Sequence, residues 1–346
     1  MNLATSTAGM ELGDKYCKIC LLDEEGDVME ACRVATTTKG IRSYFGLRAS
    51  MRVVIEVGTH SPWIGRLLEE CGHEVIVANP RRVRLIAENN NKNDDTDAEL
   101  LARLGRSDPK LLAPITHRTE ETQQALIPIR ARALLVGMRT KLVNSVRGFV
   151  KSVGARMPSC STGKFGSLTN ELPDAIRASL LPIMESIRLL TTQIRDYDKE
   201  IERLAEDVPE AQLMCEIAGV GPLTALTFIG TIEDPTRFKR SRSVGPFIGL
   251  TPRQKQSGAS DPQMRISKAG DWYLRTLLVQ AAHYILGPFG PDTALRTWGL
   301  ALAARGGKSG KKRAAVAVAR KLAVTMLALW KSGGSYQVFP SAKQVA

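Results

Sequence analysis

The stretch Gly9-Met10-Glu11-Leu12-Gly13 leads into Tyr16-Cys17-Lys18-Ile19-Cys20-Leu21-Leu22, turns at Asp23-Glu24-Glu25-Gly26-Asp27 and resumes as Val28-Met29-Glu30-Ala31-Cys32-Arg33-Val34. Apolar runs divided by a short Gly/Asp turn predict a β-meander over residues 8–37. Working outward, a short helix is expected near Lys39 to Leu47, then a buried strand Arg52-Val53-Val54-Ile55-Glu56-Val57 and a helix from Ser61 to Cys71. The strand Glu74-Val75-Ile76-Val77-Ala78 follows and ends at Asn79-Pro80. A polar linker, Asn89 to Asp95, then opens a helix carrying Leu100, Leu101 and Leu104.

Three antiparallel strands followed by βαβα is the order of an α/β fold of the ribonuclease-H/RuvC-like kind. That fold is assigned to residues 1–115, with a basic helical extension over 116–158 and a kink expected at Pro128. After a Gly/Ser-rich break at Ser159 to Ser167, apolar residues recur at spacings of four and three: Ile183, Ile187, Leu190, Ile194, Tyr197, Ile201 and Leu204. This seam, in a segment spanning 168–207, predicts a dimerising coiled coil, with an intramolecular helical hairpin as the plainer alternative. Residues 208–335 form a third, mostly α-helical domain. It starts with helix, Gly219-Val220-Gly221, helix, a pattern similar to a helix-hairpin-helix that presents backbone N–H groups to a phosphate. A Gly/Ser/Pro-rich loop around Gly249 to Gly270, a helix from Trp272 to Leu286 and a basic helix near Lys311 to Lys331 complete it.

Charge separates the chain more sharply than hydropathy does. From Thr236 onward there are 19 Lys and Arg against 3 Asp and Glu, whereas the preceding 235 residues hold 29 basic and 32 acidic ones. The whole excess of +13 therefore lies in the C-terminal third, an electrostatic footprint for nucleic acid. The most apolar late stretch, Ala314 to Trp330, is cut by Arg320 and Lys321, so no membrane span is expected, and no secretory leader pattern is seen. Six scattered cysteines show no disulfide framework and suit a reducing cytoplasm. Cys17 and Cys20 have no second ligand pair at zinc spacing and read as core residues. Lys308-Ser309 is not a phosphate loop, because Leu302 stands where the first glycine is required.

Four carboxylates stand out. Glu11 and Glu56 interrupt otherwise apolar strands, and Asp94 and Asp97 lie three apart at a helix start. Each has an ordinary account alone: a turn residue, an exposed strand end, helix N-caps. Together they are the hard oxygen donors of a Mg²⁺ phosphoryl-transfer site, where Mn²⁺ can substitute.

The runs Gly9-Met10-Glu11, Ile55-Glu56-Val57-Gly58-Thr59, Asn79-Pro80 and Asp94-Asp95-Thr96-Asp97-Ala98 resemble the DEDD transposases of the insertion-sequence-110 family, relatives of the Piv invertases. So do Ile217-Ala218-Gly219-Val220-Gly221, Phe247-Ile248-Gly249-Leu250-Thr251-Pro252-Arg253, Ser257-Gly258 and Ile266-Ser267-Lys268-Ala269-Gly270. The resemblance spans roughly residues 8 to 332. It implies metal ligation by Glu11, Glu56, Asp94 and Asp97, Glu11 standing where the family usually has Asp, and it selects Asp94 over Asp95. It also implies that Ser257 is a nucleophile that holds a DNA strand as a phosphoserine. Without the resemblance Ser257 is one loop serine among several, with no His nearby in sequence to act as base. The same resemblance implies double-stranded target and donor DNA, a structured guide RNA (a bridge RNA), and a dimer that assembles into a tetramer, with the carboxylates of one subunit meeting the serine of another.

Three other readings compete: a metal-dependent junction nuclease using water as nucleophile, an actin-like or sugar-kinase ATPase, and a non-enzymatic architectural DNA binder. The ATPase leaves the basic third unexplained. If phosphate contacts dominate, affinity for DNA falls steeply with salt. The expected loss between about 50 and 200 mM is on the order of a thousandfold for six or more contacts. Anisotropy titrations across that range check it, and a flat response is the contrary result.

Overall fold

The computed structural model describes residues 6–79, 93–258, 260–262, 264–307 and 309–339, divided into a unit ending at Thr119 and a second starting at Glu120. Pro80, the Asn89–Lys92 part of the expected linker and Lys308 lie outside the described residues.

The first unit is built on β1 (Thr7–Leu12), β2 (Tyr16–Leu22), β3 (Val28–Ala35), β4 (Arg52–Glu56) and β5 (Glu74–Ala78). The strands lie in the order β3-β2-β1-β4-β5, antiparallel among the first three and parallel from β1 through β4 to β5. The expected meander and βαβ run are both present. Strand side chains alternate between faces. One face sends Met10, Cys17, Ile19, Val53 and Ile55 into a core with α1 (Thr38–Phe45) and α2 (Ser61–Glu70), through Ile41, Phe45, Ile64 and Leu68. The other face carries Cys20, Leu22, Val54, Ile76 and Ala78 and is covered by α3 (Asp94–Ser107) through Ala98, Leu101, Ala102 and Leu104. Cys17 and Cys20 are thus buried in separate cores, as ordinary packing residues.

Small residues let α3 approach the sheet closely. A Cβ on Gly9 would run into the backbone of Ala98 and Ala102, and one on Gly105 would strike Val54. The helix is capped by Asn93, whose side chain accepts from the Asp95 N–H at 2.8 Å. The acids that follow are therefore not the N-caps that an ordinary account makes of them.

In the second unit, α4 (Glu120–Ala125) and α5 (Ile127–Ser152) meet at Leu126, and Pro128 sits in the first turn of α5. There its missing N–H costs no helical hydrogen bond, so the expected kink is a boundary between two helices. After a short α6 (Thr162–Phe165), α7 (Asp174–Glu206) carries the heptad seam. Ile187, Leu190, Ile194 and Ile201 are buried, with Met184 and Thr191 beside them. Val143, Val146 and Val150 of α5 pack with Leu180, Met184 and Ile187 of α7 in one apolar cluster. The seam is thus filled within one chain as a helical hairpin, which also groups the former 116–158 extension, from Glu120, with the second unit. The remaining helices, α8 (Pro209–Cys215), α9 (Pro222–Ile232), α10 (Val244–Phe247), α11 (Trp272–Leu286), α12 (Ala294–Ala304) and α13 (Gly310–Ser332), surround a core that includes Phe228, Leu278, Leu322 and Met326. The α8–α9 turn packs inward, Gly219 lying against Ala281 and Tyr284 of α11.

Gly9→Ala should destabilise the first unit by about 1–3 kcal/mol through forced separation of α3 from β1. Urea unfolding followed by circular dichroism measures this, and an unchanged midpoint would show that α3 does not depend on the close contact.

Candidate functional site

The site starts from strand alternation. Glu11 follows Met10 on β1, and Glu56 follows Ile55 on β4, and Met10 and Ile55 are register partners in the parallel pair. Because Met10 and Ile55 point to the α1/α2 face, Glu11 and Glu56 project to the α3 face, side by side at the strand ends. The first turn of α3 brings Asp97 to that same face. Asp97 is 3% exposed, and its Oδ1 is buried without a hydrogen-bond partner among the described residues. A buried carboxylate oxygen in that condition is costly, on the order of 1–3 kcal/mol. Glu11 and Glu56 are half-buried, and Oε2 of Glu11 is itself buried. Asp94, at the first helical position, is exposed.

The sheet and helix therefore bring Glu11, Glu56 and Asp97 to one face, with Asp94 at its rim. Among the described residues, no three His, Cys, Asp or Glu side chains already converge closely enough to cage a metal ion. The donors nevertheless fit a hard divalent ion in kind, all being carboxylate oxygens, and Asp97 Oδ1 is an acceptor for which the described residues supply no donor.

Two features of the neighbourhood escaped the sequence reading. Lys18 is the register partner of Glu11 across β1 and β2, so it shares the α3 face, and its Nζ donates to both oxygens of Asp95 at 2.8 and 2.9 Å. This pair occupies Asp95 and leaves Asp94 and Asp97 as the acids not bound to Lys18. A lysine alternating with Cys17 and Ile19 in an apolar strand was the available signal. The second feature lies past the strand ends. Trp63 Nε1–H donates to His60 Nδ1 at 3.1 Å, and His60 Nε2 faces Asp14 Oδ1 at 3.3 Å. The indole fixes the imidazole tautomer with its proton on Nε2. Asp14 is fully exposed and held by this histidine, away from the strand face of Glu11.

Ser257 belongs to the second unit and is exposed at the tip of a hairpin-like excursion. Ser257 and Ser260 exchange backbone hydrogen bonds of 3.1 and 3.0 Å. Lower down, Arg253 N donates to Arg265 O at 3.0 Å and Ser267 N to Thr251 O at 2.8 Å. At the neck, Gly249 and Gly270 adopt φ of +71° and +67°. A Cβ on Gly249 would meet the backbone of Ala269, and one on Gly270 the carbonyl of Phe247. Arg275 of α11 locks the neck by donating to the carbonyls of Ile248 at 3.0 Å and Ala269 at 2.7 Å. The Gly-Leu-Thr-Pro-Arg and Ser-Lys-Ala-Gly runs, distant in sequence, are thus the two sides of one neck. Arg253, Lys255, Arg265 and Lys268 line the excursion, leaving it strongly basic.

Comparison with known proteins identifies the family. Residues 8–154 match a DEDD transposase model of the IS110 type, and residues 211–294 match the model described as Transposase IS116/IS110/IS902 family. The transposase for insertion sequence element IS1111A of Coxiella burnetii is 30% identical over 342 residues, covering 95% of this chain and 90% of that protein. The transposase for insertion sequence element IS1328 of Yersinia enterocolitica is 31% identical over 66% of this chain and 69% of its own length. A pilin gene-inverting protein of Moraxella bovis is 25% identical over 82% and 81% of the two chains. The chain belongs to the IS110/IS116/IS902 family of transposases and is a DNA transposase or recombinase. A DEDD transposase domain implies a divalent metal. Among the described residues no helix is long and apolar enough to cross a membrane.

Removing the charge of Asp97 tests the site directly. Asp97→Asn should raise the melting temperature of the metal-free protein, because a buried carboxylate whose Oδ1 has no partner among the described residues is neutralised. The same variant should lose the stabilisation that Mg²⁺ confers on the wild type, about 2.7 kcal/mol at a hundredfold excess over Kd. Differential scanning calorimetry with and without Mg²⁺ checks both, and equal Mg²⁺ stabilisation of the two proteins would exclude Asp97 as a ligand.

Proposed function

We propose that this transposase cleaves and rejoins DNA with Ser257 as nucleophile, assisted by Mg²⁺ held on a ribonuclease-H/RuvC-like unit by Glu11, Glu56, Asp94 and Asp97. The observation that carries the reading is Asp97 Oδ1, buried without a partner among the described residues on the face where both glutamates project. A catalytic acid can be stranded at this cost where the fold is adapted to an ion it binds. Mn²⁺ serves in place of Mg²⁺ because both are hard, oxygen-seeking ions. A bound divalent ion supplies Lewis-acid polarisation of a phosphoryl oxygen.

The protein's own contribution is placement. The mixed sheet with helices on both faces and the strand order β3-β2-β1-β4-β5 support the ribonuclease-H/RuvC-like assignment. The neck at Gly249 and Gly270 carries Ser257 outward on an exposed, basic tip that can reach a phosphodiester. Ser257 Oγ attacks phosphorus, an Oγ–P bond forms as the P–O bond to the departing strand breaks, and that strand leaves as a hydroxyl carrying the serine proton. Rejoining reverses the exchange with a new strand. Carboxylates and serine belong to different units of the chain, so a subunit can offer its serine to the carboxylates of another in a dimer that pairs into a tetramer. A structured bridge RNA selects the double-stranded target and donor DNA in this scheme, which suits a basic protein that reads backbone more than bases. The reaction takes place in the bacterial cytoplasm, at the nucleoid.

Ser257→Ala should abolish both a covalent protein–DNA adduct and strand exchange, measured on denaturing gels with labelled DNA. Glu56→Ala and Asp97→Ala should keep DNA binding and lose recombination. Cleavage that persists in Ser257→Ala would instead favour a junction nuclease that uses water.

A further inference from the structure

A cavity of about 670 Å³ opens where α5 ends, lined by Arg147, Lys151, Arg156, Met157, Pro158 and Ser159 with neighbouring backbone. Arg147 and Lys151 are one turn apart on α5, and Arg156 follows the turn at Gly154. Among the described residues none of the three forms an ion pair with a carboxylate. A lysine in the last turn of a helix is ordinarily explained by the helix dipole. That accounts for Lys151, but not for three cations facing one concavity, since like charges four residues apart oppose each other. Arg147 is also held in place. Its guanidinium lies 5.2 Å from the centroid of the buried Phe165 ring, and its Nη2 donates to Cys160 O at 3.5 Å.

We propose that this cavity receives one unstacked nucleotide of a single-stranded nucleic acid, with Arg147, Lys151 and Arg156 on three successive phosphates of the strand around it. The volume falls within the range that encloses a ligand of nucleotide size. A duplex keeps its bases stacked inside and cannot enter such a space, whereas an unpaired strand can splay a base outward. Met157 and Pro158 offer an apolar wall for the base, and Ser159 a hydroxyl for its edge or sugar. A compact polyphosphate is a poorer fit. Its cradles use backbone N–H groups at a helix N-terminus, while α5 turns its carbonyl end to this cavity. Cations distributed around the concavity match a polynucleotide, which carries one charge per residue. The lining lies within residues 147–159, includes none of the four carboxylates nor Ser257, and requires neither metal nor serine chemistry.

Anisotropy of the full-length protein with labelled single-stranded RNA, single-stranded DNA and blunt duplex DNA tests this, comparing wild type with R147Q/K151Q/R156Q across salt. Single-strand affinity should fall at least about tenfold, and its log–log salt slope by about 2, from three phosphates at about 0.7 each. Duplex affinity should change less than about twofold, because the basic C-terminal third is intact. The strand that suffers more, RNA or DNA, identifies the occupant. The charge-keeping variant R147K/K151R/R156K should retain single-strand binding, which separates lost charge from lost folding. In the wild type, single strands carrying 5-iodouracil should photocrosslink within residues 147–159. Equal losses on duplex and single strand, no loss at all, or crosslinks confined to other segments would each overturn the proposal. Inactive Ser257→Ala or Asp97→Ala protein should still bind single strands here, so failure of the recombination reading and failure of this one are distinguishable.

Discussion

The backbone contact between Gly9 and the first turns of α3 is what the rest of the first unit depends on. β1 is the central strand, and α3 can reach it only where no side chain intervenes; Ala98, Ala102 and Gly105 meet the same requirement from the helix side. The two glutamates come to one face because parallel register and alternation leave them no other direction. Asp97 joins them only because the helix lies this close. Glycine here contributes no functional group, yet it sets how near the helix carrying Asp97 comes to the strand carrying Glu11.

That closeness has a cost at Asp97. Packing α3 onto the sheet excludes water from a carboxylate oxygen that no backbone N–H or side chain among the described residues satisfies. Nearby, the fold does neutralise an acid: Lys18 reaches from β2 to Asp95. The pair is partly exposed, with side-chain exposures of 32% and 57%, and so contributes little to stability. Its more useful effect is selective. The lysine is engaged by one acid and does not fill the role a metal would take beside Asp97.

The strands of the first unit were legible because period-two apolar patterning and a tight turn are local signals, and the carboxylates stood out as charged interruptions of that pattern. The heptad seam shows the limit of the same method. Periodicity says that a stripe on α7 must be covered, but α5 of the same chain fills it as readily as a second copy would. Pro128 likewise marks a discontinuity without telling a kink from a helix start. Lys18, Asn93 and the Trp63–His60–Asp14 chain went unread because their roles arise only from cross-strand register or from folding around the strand ends. Ser257 could not be singled out from the residues at all. Its distinction is a position at the tip of a hairpin whose neck joins two motifs that the sequence keeps apart.

That neck also bears on how the protein can change over generations. Gly249, Gly270 and Arg275 anchor the excursion to α11 and the helical core, while the tip around Ser257 makes its hydrogen bonds within itself. Residues between Arg253 and Arg265 can therefore vary in length or charge with little effect on the packing beneath. The domain keeps its stability in a rigid base and its adaptability in the tip, so a lineage can reshape this exposed basic excursion without redesigning its core.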